Sequence, residues 1–208
     1  VISANGARSA LRHHAGAGRR DRKYAWGALW FVATNPPDSM RSTLRQVYDG
    51  THTMLGFLPS GRHGKGPGAP ELLSMFWSIR ADEWASGAFA FDAWKARCIG
   101  LLPEAAPGLD QLRSASPLIF APYFDVGVTQ TDPRTVAIGD AAHAIVPFYG
   151  QGINSGFEDC RVLDELLGAR GGDLGAALPE YSASRTPNAD ALADPPRHNR
   201  SEMRDPPA

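Results

Sequence analysis

An α/β fold of the α+β kind, with an antiparallel sheet inserted into it, is what this sequence predicts, and three observations carry the prediction. Residues 26–79 break into short aromatic and β-branched runs divided by turn residues, the punctuation of an antiparallel sheet. Thr135-Val136-Ala137-Ile138 is a short buried-type strand that leads at once into Gly139-Asp140, small residues, Pro147 and the turn Gly150-Gln151-Gly152. A long apolar-periodic stretch follows, so strand, turn and helix succeed one another as in a strand-to-helix ligand site.

Composition narrows the function classes. The 208 residues carry 21 Lys plus Arg against 22 Asp plus Glu, a net charge of −1, with 43% hydrophobic residues. That balance excludes a broad basic footprint for nucleic acid, and no apolar run approaches the roughly 20 residues of a membrane span. Cys98 and Cys160 lie too far apart in sequence for a disulfide framework or a four-ligand zinc site. They are expected to be core thiols in a reducing, cytoplasmic compartment. The chain opens on Val-Ile-Ser without a charged leader, so no secretion signal is expected.

Taken in order, Val1–Arg12 reads as a strand end, an Asn5-Gly6 turn and a helical turn. His13–Arg22 has no periodicity and reads as a solvated loop, its cluster Arg19, Arg20, Arg22 and Lys23 as plain surface charge. Trp26–Ala33, Thr53–Leu58 and Leu72–Ile79 read as strands, with Trp26, Trp30, Phe76 and Trp77 as sheet core rather than a ring cage. Phe91–Leu102 has helical spacing and stops at Pro103, and Leu118–Val126 is strand-like. Ile153, Phe157, Cys160, Leu163 and Leu167 form one apolar helical stripe ending at Gly168. Leu174–Ala193 is amphipathic but should be interrupted at Pro179 and Pro187, and Pro195-Pro196 and Pro206-Pro207 exclude a regular helix beyond it.

The chemistry sits where the long helix starts. The first amides of a helix have no intrahelical acceptor and carry about half a positive charge from the macrodipole. Gly150 and Gly152 let a flat ligand approach the backbone, and Asp140 can accept hydrogen bonds from ligand hydroxyls. His143 has no second ligand at usable spacing and is expected to be a structural hydrogen-bonding partner, so no metal site is predicted.

The string Gly139-Asp140-Ala141-Ala142-His143-Ala144-Ile145-Val146-Pro147-Phe148-Tyr149-Gly150-Gln151-Gly152-Ile153-Asn154, continuing to Cys160, resembles the second flavin motif of the FAD-dependent aromatic-ring monooxygenases. The last third is most similar to the branch that hydroxylates kynurenine. Ala4–Arg12 resembles the family's Asp-Gly motif, with Asn5 in place of the aspartate. Tyr24–Trp30 and Leu58–Arg62 are more similar to the branch acting on quinone precursors.

The resemblance implies a partial FAD/NAD(P)-binding Rossmann-type domain with an inserted antiparallel-sheet substrate domain. Its divisions would be 1–23, the Asp-Gly-like element; 24–126, the substrate domain; 127–194, the flavin strand and helices; and 195–208, an irregular tail. FAD would be held by Gly139, Asp140, Pro147, Gly150, Gln151, Gly152, Ile153 and Asn154, with Asn5, Gly6 and Ala10 from the first motif. Pro147 and Phe148 would line the face where dioxygen and substrate meet, and Phe148, Tyr149 and Asn199 would touch an aromatic substrate. NAD(P)H would be the reductant, and no side chain would perform the oxidation.

Three functions follow from the resemblance: 3-hydroxylation of kynurenine, hydroxylation of quinone-precursor or phenolic substrates, or a non-catalytic remnant of such an enzyme. The Gly-x-Gly-x-x-Gly fingerprint for the ADP half of FAD is not among these residues. Without the strand that carries it, Val136 and Ile138 are expected to lie on an unpaired edge.

Overall fold

The computed structural model describes residues 1–50, 52–147 and 150–193. The chain divides into two compact units, one of Val1–Tyr24 with Tyr123–Ala208 and the other of Ala25–Pro122. The elements are β1 (Ile2–Ser3), α1 (Arg12–Ala15), β2 (Gly16–Thr34), β3 (Arg45–Asp49), β4 (Thr53–Arg62), β5 (Glu71–Arg80), α2 (Ala81–Ala85), α3 (Phe91–Leu101), α4 (Ala106–Leu109), β6 (Ile119–Gln130), β7 (Val136–Ala137), α5 (Asp140–His143), α6 (Gln151–Ala169) and α7 (Leu174–Ala193). The mixed class with an antiparallel sheet is the one the sequence predicts.

The second unit is built on a sheet in the order β3-β4-β5-β2-β6. Alternation sorts its residues. Leu29, Leu55 and Trp77 stand in register across three strands and are buried together with Leu73, Met75 and Ile79. Trp94 and Cys98 of α3 close that core, and burial pushes the Cys98 thiol up to about 12, which keeps it an inert packing group. The neighbouring register places Gly56, Phe76 and Trp30 in a row on the opposite face. Phe76 leans over Gly56, where an added Cβ would lie 1.9 Å from its ring, and stacks on Trp30 at 6.4 Å. So only Trp77 of the four aromatics is core; Trp26, Trp30 and Phe76 are half-buried.

In the first unit the expected loop His13–Arg22 is instead α1 and the start of β2. Strand period explains it: Arg20 and Arg22, two apart, reach the same carboxylate, the buried Asp125 of β6. These cations therefore hold a buried charge and are not plain surface. Gly16 permits the close approach of β6, since a Cβ there would lie 2.0 Å from the Thr129 carbonyl oxygen.

The two helices depart from expectation in instructive ways. On α6 the buried residues are Ser155, Asp159 and Leu163, while Ile153 and Phe157 are 74% and 70% exposed and Cys160 is an exposed thiol rather than a core one. The glycines at 152 and 156 and the polar pair at 155 and 159 form a face roughly 100° round the helix from the apolar stripe. The helix also runs past Gly168 to Ala169, with Arg170 as its C-cap. Helix α7 continues through Pro179 and Pro187. Leu178, Tyr181 and Arg185 are buried at helical spacing, and that packing outweighs the hydrogen bonds two prolines forfeit. The Pro-Pro pairs at 195–196 and 206–207 lie outside the described residues.

Two glycines two positions apart test the β2 to β6 approach. Gly16→Ala should cost about 2 to 3 kcal/mol, because backbone and not a flexible side chain blocks the new methyl. Gly18→Ala, with nothing within 4 Å of its Cβ, should change stability by less than about 0.5 kcal/mol in the same urea titration.

Candidate functional site

Two short parallel strands lead to the site. Ile2 pairs with Val136 and Ser3 with Ala137, through Val136 N–H to the Val1 carbonyl at 2.9 Å and Ile138 N–H to the Ser3 carbonyl at 3.0 Å. The expected unpaired edge at 135–138 is therefore paired within the chain. The other side of Ala137 is closed too: the Gln130 amide donates to its carbonyl at 2.8 Å and accepts its N–H at 2.7 Å, as a strand would. Asn5-Gly6 and Gly139-Asp140 thus leave from the carboxyl ends of neighbouring parallel strands, the position where open α/β sheets place ligands.

Asn5 and Gly6 form a tight turn. Gly6 has φ +82°, the Ser3 hydroxyl donates to Asn5 Oδ1 at 2.9 Å, and Ser9 Oγ accepts the amides of Leu11 and Arg12 at 3.1 Å each. Asn5 and Ala10 are exposed.

The turn after β7 lies against the N-terminus of α6. Gly150 holds the left-handed conformation at φ +61°, no side chain caps the helix, and no acidic residue lies in its first turn. Asp140, exposed at the start of α5, is aimed here: its Oδ1 would be 3.9 Å from a Cβ built on Gly152. One turn on, a Cβ on Gly156 would be 3.6 Å from Gly139 Cα. Gly139, Asp140, Gly150, Gln151, Gly152, Ile153 and Asn154 are therefore brought together around a helix N-terminus without a side-chain cap and one carboxylate. Pro147 is exposed, and its carbonyl accepts the Gly150 N–H at 3.1 Å. Phe148, Tyr149 and Asn199 lie outside the described residues. An open cleft of about 590 Å³ between Thr129–Pro133 and Leu178, Pro179, Ser182 and Thr186 is lined by none of these predicted residues.

Beneath the turn lies a buried polar network that the sequence reading missed. Asp159, 0% exposed, accepts the Gly139 N–H at 2.7 Å and the His143 Nε2–H at 2.6 Å on one oxygen, and Arg185 Nε–H at 2.8 Å on the other. Arg185 also donates to the carbonyl and hydroxyl of Ser155, both at 3.1 Å. Burial alone would raise the Asp159 pKa, but the His143 hydrogen bond and charge, the Gly139 amide and Arg185 outweigh it and hold it below the ordinary carboxylate range. His143 is the structural partner the sequence suggests. The available signal was the spacing of Gly152, Ser155, Gly156 and Asp159, one helix face of small and polar residues beside the more conspicuous apolar one.

A carboxyl depressed by folding contributes stability above its unfolded pKa, near 3.9, and loses it as pH falls through the folded value. Asp159 should therefore contribute to acid unfolding of this chain. In urea titrations from pH 7 to pH 2.5, Asp159→Asn should be less stable at neutral pH and show a shallower acid decline than the unsubstituted chain.

The site residues can be set against known proteins. Residues 124–195 match the family model described as FAD binding domain. A kynurenine 3-monooxygenase of Anopheles gambiae is 56% identical over 72 residues, 35% of this chain and 15% of that protein. One of Salinispora arenicola is 58% identical over 72 residues, 35% of this chain and 16% of its own length. The matched stretch is thus a small part of those relatives. Among solved structures, PqsL of Pseudomonas aeruginosa, a probable FAD-dependent monooxygenase, superposes with a TM-score of 0.72 at 21% identity, over 93% of this chain and 53% of that one. HpxO of Klebsiella pneumoniae, complexed with FAD and uric acid, superposes with a TM-score of 0.64 at 18% identity, over 97% of this chain and 50% of that one. In its segment 124–195 the chain is similar to the FAD binding domain family, and its fold is similar to that of PqsL.

Proposed function

We propose that this chain is part of a cytoplasmic FAD-dependent, NAD(P)H-consuming monooxygenase that hydroxylates an aromatic ring, with kynurenine hydroxylated at its 3-position. The observation that carries the cofactor reading is the placement of Asp140 beside Gly152 at an uncapped helix N-terminus, within the segment 124–195. The residues fit the group: among the described residues the one atom within 4 Å of a Cβ built on Gly152 is a carboxylate oxygen of Asp140, so a flat ring can reach the backbone where a Cβ would obstruct it. The identity to kynurenine 3-monooxygenases over 72 residues supports the choice of substrate.

Each residue then has a stated task. Asp140 accepts hydrogen bonds from the ribityl hydroxyls, and the amides at Gly152, Ile153 and Asn154 face the pyrimidine end of the isoalloxazine. FAD, when bound, would supply the redox chemistry that couples NAD(P)H oxidation to oxygen-dependent ring hydroxylation. The chain contributes preorganised N–H dipoles where negative charge develops. Asn5, Gly6 and Ala10 approach the flavin from the end of β1, and Pro147 lines the reaction face.

A second reading, hydroxylation of quinone-precursor or phenolic rings, is favoured by the middle segment. The solved structures extend over it where the curated match does not, and HpxO carries uric acid rather than kynurenine. Half-buried Tyr24, whose pKa is raised by burial and by the charge of Asp125, is the ring contact to test for either substrate. NADPH consumption by the FAD-loaded protein should accelerate with kynurenine; acceleration by a 4-hydroxybenzoate-type phenol instead would establish the second reading.

FAD binding is expected to be weak in these 208 residues, which lack the ADP-binding fingerprint, yet measurable by quenching of flavin fluorescence. Asp140→Ala should weaken it by about 1.5 to 3 kcal/mol, the range for hydrogen bonds to a charged group, and His143→Ala by less. Gly152→Ala should also weaken FAD binding while leaving the fold at least as stable, since alanine is the better helix former and its methyl meets only Asp140 at 3.9 Å. Equal affinity in all three variants would remove the flavin from this site.

A further inference from the structure

We infer that Asp159 is the positioning residue of the flavin site, fixing the turn that carries Asp140 against the first turn of α6; the inference rests on the FAD reading above. Its carboxylate is fully buried and lies seven residues, about 10 Å along the helix, from Gly152. It acts on ligand geometry through its partners. One oxygen, Oδ2, takes the donors at both ends of the Gly139–His143 turn, the Gly139 amide at 2.7 Å and the His143 ring at 2.6 Å. Asp140 lies between those two anchors, so the clamp sets where its side chain starts.

Gly139 makes the clamp necessary. At φ +56° and ψ −143° it has left the strand ladder, and its N–H is directed instead at the helix below. A Cβ at Gly156 would stand 3.6 Å from Gly139 Cα, ordinary contact distance, so the turn lies against the helix, and the carboxylate sets its direction. Arg185 holds the second oxygen at 2.8 Å and is itself tied to the Ser155 carbonyl, one turn up α6. The carboxylate is thereby fixed against rotation by α7. With three donors engaged and no exposed surface, Asp159 is not a proton carrier for a substrate.

The test uses the full 208-residue chain. Asp159→Asn keeps the shape but places an N–H₂ group where one of the accepting oxygens stood. Without ligand, amide exchange at Gly139 should accelerate tenfold or more. With FAD titrated in, the dissociation constant should rise tenfold or more, and the visible circular dichroism of the bound flavin should change. Leu163→Val, buried on the same face one turn beyond, is the control for stability alone; it should leave the FAD constant and the dichroism unchanged. Should Asp159→Asn fail to fold, two substitutions at 143 carry the test: His143→Asn, retaining a donor, should bind FAD within threefold of the unsubstituted chain, and His143→Phe should not. Wild-type affinity and dichroism in Asp159→Asn, alongside weakened binding in Asp140→Ala, would overturn the inference alone. Equal FAD constants in the unsubstituted chain and Asp140→Ala would overturn the flavin reading, and the role of Asp159 in it.

Discussion

One desolvated charge organises the first unit. A carboxylate taken wholly out of water costs several kcal/mol unless donors surround it, and Asp159 meets that cost with a backbone amide and an imidazole from the Gly139–His143 turn and a guanidinium from α7. Those donors are 16 to 26 residues away in sequence. Because the cost of losing any one of them is large, the turn after β7, the start of α6 and the middle of α7 are held to one arrangement.

The small residues around this charge are what allow it to be satisfied. A Cβ on Gly156 would stand 3.6 Å from Gly139 Cα, so turn and helix sit in contact, the positive φ of Gly139 favours glycine there, and Ala137, Ala141 and Ala142 pack with Ala15 as a cluster without bulk. Larger side chains would add buried area at roughly 25 cal/mol per Å². They would also lift the turn off the helix and leave the Gly139 amide unpaired, a loss of 1 to 3 kcal/mol for a buried donor. Short range and correct direction matter more at this point of the fold than apolar area.

Period and punctuation made the sheet legible. Leu29, Leu55, Trp77 and Met75 alternate as a half-buried sheet requires, and Pro103 marks the end of α3. The ordered string from Gly139 to Asn154 was legible as a ligand-type turn because no simple packing demand explains glycine at 139, 150 and 152 together with an exposed Asp140. What stayed hidden depended on partners distant in sequence. Nothing near Arg20 and Arg22 announces that Asp125, about a hundred residues on, will convert a basic stretch into strand. Ile153 and Phe157 have ideal spacing for a core stripe, yet a hydrophobic pattern records only that a face is apolar, not that anything covers it. The buried face was chosen instead by Asp159, whose need for donors is invisible until Arg185 and His143 are placed.

The same unit departs from local rules at its helix start, and the departure has a direction. Ser, Thr or Asp before α6 would cap its amides, typically stabilising a helix by about 1 kcal/mol relative to an uncapped end; Gly150 supplies no oxygen, and the first turn holds no acid. The nearest carboxylate, Asp140, comes from another element, exposed and beside Gly152 rather than folded back onto the amides. Stability optimised alone would have moved that oxygen half a turn and closed the helix. Placing an exposed carboxylate beside a helix start that has no side-chain cap, while burying a costly carboxylate two turns below to hold that arrangement in place, is the pattern expected where a fold gives up local stability for a ligand. On that argument the helix start without a side-chain cap and the buried Asp159 are parts of one device: the first presents its N-terminus beside Asp140, and the second holds the turn that carries Asp140 in place.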